Sequence, residues 1–383
     1  MLKIIIESLL IIIFVYLISN GYNNKILIYK EFVKKCRQKE YFKHKLNFSK
    51  NDIFLSICIP CYNMQKYIES SLLSIINQSF ELFEIIIVND NSNDETLNII
   101  IQMQKKDKRI KYINHSKNLG VYASRVDGIL NAKGKYILLI DPDDLILNQY
   151  LFEELYTYNK KYNLDIIEFL VYHQKEGKNN IIIPKRQHLN HYHNFKKQII
   201  KQPELSEILF HKPNSNEYSS IICRTVWNKI IRKQISLKSI NYLNNDYFHN
   251  QFLIAADDTP INILSFQFGN NYSNINSPGY LYNLRDNGMS TYSKENIYHN
   301  KIISYNYLLY LKFLFKFIIN LNKDINYFLY EFKEFSIYLL NIKDLNDTQY
   351  FPIAIDFFHS IKQKNISEAY KKFIDELIVY FLK

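Results

Sequence analysis

The chain has 383 residues, enough to bury one large core or two modest ones, and 47% of them are hydrophobic, which excludes global disorder. A formal charge of +11 suits anionic partners such as phosphates, nucleotides or acidic lipid surfaces. No clustered basic stripe or recognisable nucleic-acid module accompanies it, so nucleic acid is not an expected partner. Four cysteines make no disulfide framework in a chain of this length.

The first segment, MLKIIIESLLIIIFVYLIS, is apolar apart from Lys3, Glu7 and two serines. It approaches the roughly 20 apolar residues that a bilayer-crossing helix needs. A cleaved signal peptide, with Ser19 and Gly21 at a small-x-small site, and a buried core helix are the alternatives. We read residues 1–20 as a signal-anchor and 21–52 as a basic stem, because Lys25, Lys30, Lys34, Lys35, Arg37, Lys39, Lys43 and Lys45 follow. The positive-inside rule then sets a membrane-associated body on the cytoplasmic side. Cleavage or inversion would put it in the secretory-pathway lumen.

Beyond the stem, IFLSICIP (53–60) is an apolar strand ended by Pro60. Ile68, Leu72, Ile75 and Ile76 follow helical spacing, and FEIIIVND is a second buried strand. Ser92 and Glu95 read as a capping box opening a helix that carries Leu97, Ile100 and Ile101, with Asp94 also assigned to capping. RIKYIN is a third strand, VYASRVDGILNA a helix and KYILLID a fourth strand. Strands alternating with helices imply βαβ units, a mainly parallel sheet, and several strand ends at one edge. In the CxxC of Cys58 and Cys61, Cys58 lies inside the first strand rather than at a helix start, and Cys36 and Cys223 stand alone, so packing is expected of the Cys58 and Cys61 thiols. His188, His191 and His193 read as a polar loop.

The stretch ILLIDPDDLIL (137–147) sets Asp141, Asp143 and Asp144 directly after a buried strand that Pro142 ends. Open α/β sheets bind ligands at that end of their strands. Clustered carboxylates repel unless a cation or proton relieves them. From these residues alone, a hard divalent ion and an ordinary solvated loop both remain open. Residues 166–292 mix strands and loops and hold the only tryptophan, Trp227. A helical, aromatic region comes next, in which YNYLLYLKFLFKFIINL, with Lys312 and Lys316 on one face, reads as a membrane-lying helix or as a layer packed on the core. We expect the layer.

The segment SICIPCYNMQKYIESSLLSIINQSFELFEIIIVNDNSNDET resembles the opening of the family 2 nucleotide-sugar glycosyltransferases. The segment NLGVYASRVDGILNAKGKYILLIDPDD resembles the second part of that family's nucleotide-binding region, ending in its metal-binding DxD. The resemblance implies a GT-A fold over 53–292, with a nucleotide-binding half (53–165), an acceptor half (166–292) and a helical C-terminal extension (293–383). It implies inverting transfer of a sugar from a UDP- or GDP-sugar donor to a glycan, lipid or protein acceptor. In family terms Pro60, Tyr62 and Asn63 lie beside the nucleotide and Asp90 accepts the imide N–H of the base. Asn118 and Gly120 form the family's turn, and Arg125 is its helix-borne arginine near the nucleotide. Asp141, Asp143 and Asp144 stand where the family holds Mn²⁺ or Mg²⁺, with Asp144 as the direct ligand, Asp143 near the ribose or metal, and Asp141 in the donor site. FLIAADDTPINIL resembles the segment carrying the general base, assigned to Asp258 with Asp257 as its neighbour. The residue-level alternative is that the two carboxylates cap a helix beginning at Thr259. Trp227 and Lys229 are expected on the acceptor side, and Arg285, in YLYNLRDNGMST, near the diphosphate. The rival functions are a degenerate nucleotide-sugar-binding module and a haloacid-dehalogenase-type phosphatase, whose nucleophile motif IDPDDL could imitate.

Overall fold

The computed structural model describes residues 52–176, 181–182, 199–209, 225–246, 248, 251–255, 257–285, 297–321, 328–329, 332, 351–364 and 366–382. The anchor and nearly all of the stem, Cys36, Cys223 and the three clustered histidines lie outside them, as does the loop beyond Arg285.

The first half matches the expected alternation closely. Strand β1 (Leu55–Cys61) leads to helix α1 (Ile68–Ile76), β2 (Phe83–Asn89) to α2 (Thr96–Lys106), β3 (Ile110–Asn114) to α3 (Val121–Asn131), and β4 (Tyr136–Leu139) comes after them. A two-residue strand, β5 (Leu145–Ile146), then precedes α4 (Leu151–Tyr162). The four main strands pair in parallel in the order β3–β2–β1–β4, so their carboxyl ends share one edge. Every β1 and β2 residue is buried, because helices cover both faces of the sheet. Leu55, Ile57, Ile59 and Cys61 face one hydrophobic cluster, with Ile68, Leu72, Ile75, Ile100 and Phe152. Cys58 and Ile86 face the other, with Val126 and Ile129 of α3. Burial pushes the thiols of Cys58 and Cys61 up, away from the reactive thiolate, as a packing role requires.

The second half corrects the mainly parallel reading. It contains β6 (Ile166–Lys175), β7 (Ile181–Ile182), β8 (Ile200–Lys201), α5 (Glu204–Leu209), β9 (Lys229–Arg232), α6 (Lys233–Asp246), α7 (Asp258–Phe268) and β10 (Asn271–Leu284). Strand β9 runs antiparallel between β4 and β6, and β10 lies parallel to β6. Among the described residues the strands form one mixed, 10-stranded sheet. The βα alternation that enforces parallel crossovers ends with α4, and β9 enters the gap beside β4 from the other direction. Two reversals restore the direction of β6 and β10 to that of β4, so Glu176 and Arg285, just past their ends, reach the same edge as Asp90 and Asp141.

Among the described residues, helices α8 (Ile297–Asn320), α9 (Phe351–Lys362) and α10 (Glu368–Leu382) form the expected C-terminal layer. Leu308, Leu311, Phe313, Leu314, Phe317 and Ile318 of α8 join the cluster beneath α3, while Lys316 stays in solvent. Among the described residues, one helical stretch, Ile302–Asn320, is long and apolar enough to cross a membrane, and most of it is buried in the protein.

The turn before α3 docks the two halves. Gly120 has φ 91° and ψ 164°, a region essentially restricted to glycine, and bridges in parallel to Leu253. A Cβ at this position would fall 2.6 Å from the Leu253 carbonyl oxygen. Gly120→Ala is therefore expected to lower stability by about 1–3 kcal/mol in urea unfolding; a loss under about 0.5 kcal/mol, ordinary for a surface change, would contradict this close approach.

Candidate active site

The loops after β1 and β2 are sewn together by short polar side chains. Asn63 and Asn91 take left-handed backbone conformations (φ 54° and 60°), which asparagine tolerates. The Ser92 hydroxyl accepts from the Asn63 N–H at 3.0 Å and donates to Asn89 Oδ1 at 2.6 Å. Asn63 Oδ1 in turn accepts from the Asn93 N–H at 2.8 Å. The expected capping box is absent: α2 starts at Thr96 with Glu95 at its cap and no side-chain cap bond there. Ser92 serves the β1 loop instead, because Asn63 brings an unpaired N–H within its reach. Asp94 does keep a capping role, accepting from the Thr96 N–H at 3.0 Å. This stitching holds Pro60, buried in β1, and the half-buried Tyr62 against the start of the β2 loop.

Asp90 is buried, and its carboxylate accepts from the backbone N–H groups of Leu119 and Gly120, each at 2.8 Å. His115 Nδ1 meets Asp90 Oδ1 at 2.8 Å, and His115 Nε2 meets Asp127 Oδ2 at 2.9 Å. Three of the four lone-pair sites of Asp90 are thus engaged, leaving one for a further donor. Sequence reasoning missed His115. The available signal was a histidine directly after β3, at the sheet edge where the site was already expected.

The three carboxylates after β4 have three different partners. Asp144 is fully buried and accepts from the Tyr280 hydroxyl and the Asn283 N–H, both at 2.7 Å. Burial and the neighbouring Asp143 and Asp141 carboxylates push its pKa well up. Asp143 pairs with Arg285 Nε at 2.6 Å, and burial with Asp141 raises its pKa to about 6. Asp141 pairs with Arg125 at 2.8 Å. No cluster of three metal-ligating side chains exists among the described residues. The donor set is nevertheless hard carboxylate oxygen alone, crowded enough to repel. That suits an ion of the Mg²⁺ or Mn²⁺ type, which takes one or two carboxylates and fills its shell with substrate oxygens and water. Asp144 accepts one hydrogen bond at each oxygen, so each keeps a lone pair, and Asp143 lies beside it.

Arg125 joins the two halves. From α3, and only 4% exposed, its Nη2 donates to Asp141 while its Nη1 donates to both Asp257 and Asp258. Neither aspartate caps a helix. The first residue of α7 is Asp258, Asp257 stands at the cap position without a side-chain cap bond, and both carboxylates turn to the guanidinium. Burial raises the pKa of both, opposed by the Arg125 charge; Asp258, still about a quarter exposed, reaches about 8.

Of the acceptor-side candidates, Trp227 stacks on Tyr280 and Tyr282 at centroid distances of 4.6 and 5.2 Å. It therefore braces the strand whose Tyr280 holds Asp144. Lys229 is fully buried and donates to the Thr225 carbonyl and Asn228 Oδ1. Arg285 also lies over the Tyr67 ring, 5.1 Å from its centroid, so it closes the edge between α1 and β10.

A parallel half and a mixed half, with their carboxylates meeting at one sheet edge, define a GT-A-type α/β protein. Residues 56–237 match the model of glycosyl transferase family 2. The chain is 25% identical over 236 residues to the uncharacterized glycosyltransferase EpsJ of Bacillus subtilis, covering 62% of each protein. It is 33% identical over 196 residues to the uncharacterized glycosyltransferase MJ1057 of Methanocaldococcus jannaschii, covering 50% of this chain and 66% of that one. The chain thus spans less than two thirds of the length of either relative. Among solved structures it resembles Staphylococcus aureus TarS 1–349 in complex with UDP-GlcNAc, at 16% identity and a TM-score of 0.49, covering 86% of this chain and 90% of that one.

Removing the guanidinium would leave three carboxylates facing one another. Arg125→Met is expected to lose about 3–5 kcal/mol in urea unfolding at pH 8.5. The loss should shrink at pH 6, because without Arg125 the carboxyls take up protons more readily. A pH-independent loss would contradict this arrangement.

Proposed function

We propose that the chain is an inverting glycosyltransferase, moving a sugar from a UDP- or GDP-sugar to an acceptor hydroxyl. The observation that carries the reading is Arg125, whose one guanidinium holds the donor-side Asp141 together with the base-side Asp257 and Asp258. Donor and acceptor chemistry thereby converge within a single side chain's span.

In this reading the nucleoside lies over the stitched β1 and β2 loops, beside Pro60, Tyr62 and Asn63. The free lone-pair site of Asp90 accepts the imide N–H of the base, and its other engagements keep the carboxylate from turning away. Asp143 and Asp144 would hold Mn²⁺ or Mg²⁺, whose Lewis acidity stabilises charge on the departing diphosphate. Arg285, set against Asp143, adds a positive charge beside the same phosphates. Asp258 takes the acceptor hydroxyl proton as that oxygen attacks the anomeric carbon and the bond to the diphosphate breaks on the opposite face. A base with a raised pKa suits proton abstraction near neutral pH. Asp257, paired through Oδ2 with Arg125, fixes the guanidinium between the two functions. Residues 1–20 would anchor the protein to a membrane, where the acceptor is a glycan, a lipid or a protein. The match to the family 2 model speaks against the phosphatase alternative. The intact set of Arg125, Asp257 and Asp258 speaks against a degenerate binding module.

The test is a panel of UDP- and GDP-sugars assayed with Mn²⁺, with wild type beside Asp258→Asn. Turnover of one donor by wild type, lost in the variant while nucleotide binding persists, is expected. Nucleotide binding without turnover of any donor would favour the binding-module alternative. For the active donor, kcat/KM should rise with pH through an apparent pKa near 8, because the deprotonated pair is the base. A profile flat from pH 6 to 9 would remove Asp258 from that role.

Mn²⁺ should also raise the melting temperature, since ligation at about 100 times Kd contributes about 2.7 kcal/mol. That shift should vanish in the Asp143→Asn, Asp144→Asn double variant. An equal shift in both proteins would place the ion elsewhere.

A further inference from the structure

We infer that Asn306, in the C-terminal helix α8, is a positioning residue for the Asp257–Asp258 pair, which makes the C-terminal layer a working part of the site. The inference rests on the glycosyltransferase reading and adds to it a residue outside the stretch that matches the family model, which ends at residue 237.

Residues 251–255 form the strap that leads into Asp257 and Asp258. Among the described residues the strap belongs to no sheet and makes a single β-bridge, between Leu253 and Gly120. That bridge fixes one side of it to the turn before α3. The other side meets Asn306, which is 1% exposed. Its Oδ1 accepts from the Ile254 N–H at 2.9 Å and the Ala255 N–H at 3.2 Å, and its Nδ2 donates to the Phe252 carbonyl at 3.1 Å. One amide thus satisfies three backbone groups that a neighbouring strand would otherwise have to pair. On the adjacent α8 residue, the Tyr305 hydroxyl donates to Gln251 Oε1 at 3.2 Å and extends the grip to the start of the strap.

The strap therefore has two anchors. Gly120 ties it to the half that carries Asp90 and Arg125, and Asn306 ties it to a helix packed into the core. The Asp258 carboxylate lies only three residues beyond Ala255, so a shift of the strap moves the base relative to Arg125 and Asp141. Misplacement of a reacting group by about 1 Å lowers rate on the order of 100-fold. Pro60, Tyr62, Asn63 and Asp90, set beside the nucleotide in the proposed reading, lie at or just past the ends of β1 and β2, and among the described residues none of them hydrogen-bonds to Asn306.

The experiment compares full-length wild type with Asn306→Ala and the isosteric Asn306→Asp, which keeps both accepting interactions. Kinetics would use the donor that wild type turns over, and calorimetry would measure Mn²⁺-dependent binding of the matching nucleoside diphosphate. Asn306→Ala is expected to lower kcat at least tenfold while donor KM and nucleotide affinity stay within about twofold of wild type. Asn306→Asp should recover part of kcat, and it alone carries the same split if Asn306→Ala does not fold. Unchanged kcat in a folded variant, even with a lower melting temperature, would leave Asn306 a structural amide and overturn the inference. So would a parallel loss of kcat and nucleotide binding. If wild type binds nucleotide but turns over no donor, the glycosyltransferase reading itself falls and takes the inference with it.

Discussion

A single buried guanidinium carries the electrostatics of this sheet edge. Arg125 faces Asp141 from the strand that ends the parallel half, and Asp257 and Asp258 from the start of α7 in the other half. Without a counter-charge, three carboxylates could not share such a space ionised. With it, burial still raises the pKa values of Asp257 and Asp258, so the charge is only partly compensated. That residual tension would suit the general base of the proposed reaction, because a carboxylate whose pKa is raised both gains and loses its proton readily.

The fold exists to bring that guanidinium its partners. Four parallel strands deliver Asp90, His115 and Asp141 to one edge, and the antiparallel β9 turns the sheet so that β10 ends there too. The end of β10 then contributes Tyr280 and Asn283 to Asp144 and Arg285 to Asp143. Gly120 and Asn306 hold the strap that precedes Asp257, one by close backbone approach and the other by its amide. Each device is local, yet all of them act on a single cluster of charge.

Much of this was legible before any coordinates. The apolar runs at 55–61, 83–89 and 136–139 are strands, and Arg125, the three aspartates after β4 and the Asp257–Asp258 pair all lie at one edge. What the sequence hid was association across distance. Arg125 and Asp258 are 133 residues apart, and no local spacing announces their contact. Asn306 escaped for a related reason: in a chain rich in asparagine, one more amide carries no signal until a backbone is set against it. The parallel reading failed after α4, where alternation stopped and periodicity no longer determines strand direction. The capping box failed because Ser92 found a nearer donor, the Asn63 N–H, than the helix it was expected to cap.

The central claim is that Arg125 and Asp258 are energetically coupled across the two halves. A double-mutant cycle with Arg125→Met and Asp258→Asn, read by urea unfolding at pH 8.5, measures that coupling directly. The double variant is expected to be more stable than the sum of the single losses allows, by about 1–3 kcal/mol, because each change removes the other's penalty. Additivity within about 0.5 kcal/mol would show that the guanidinium and the carboxylate do not act on each other, and would contradict the site as described.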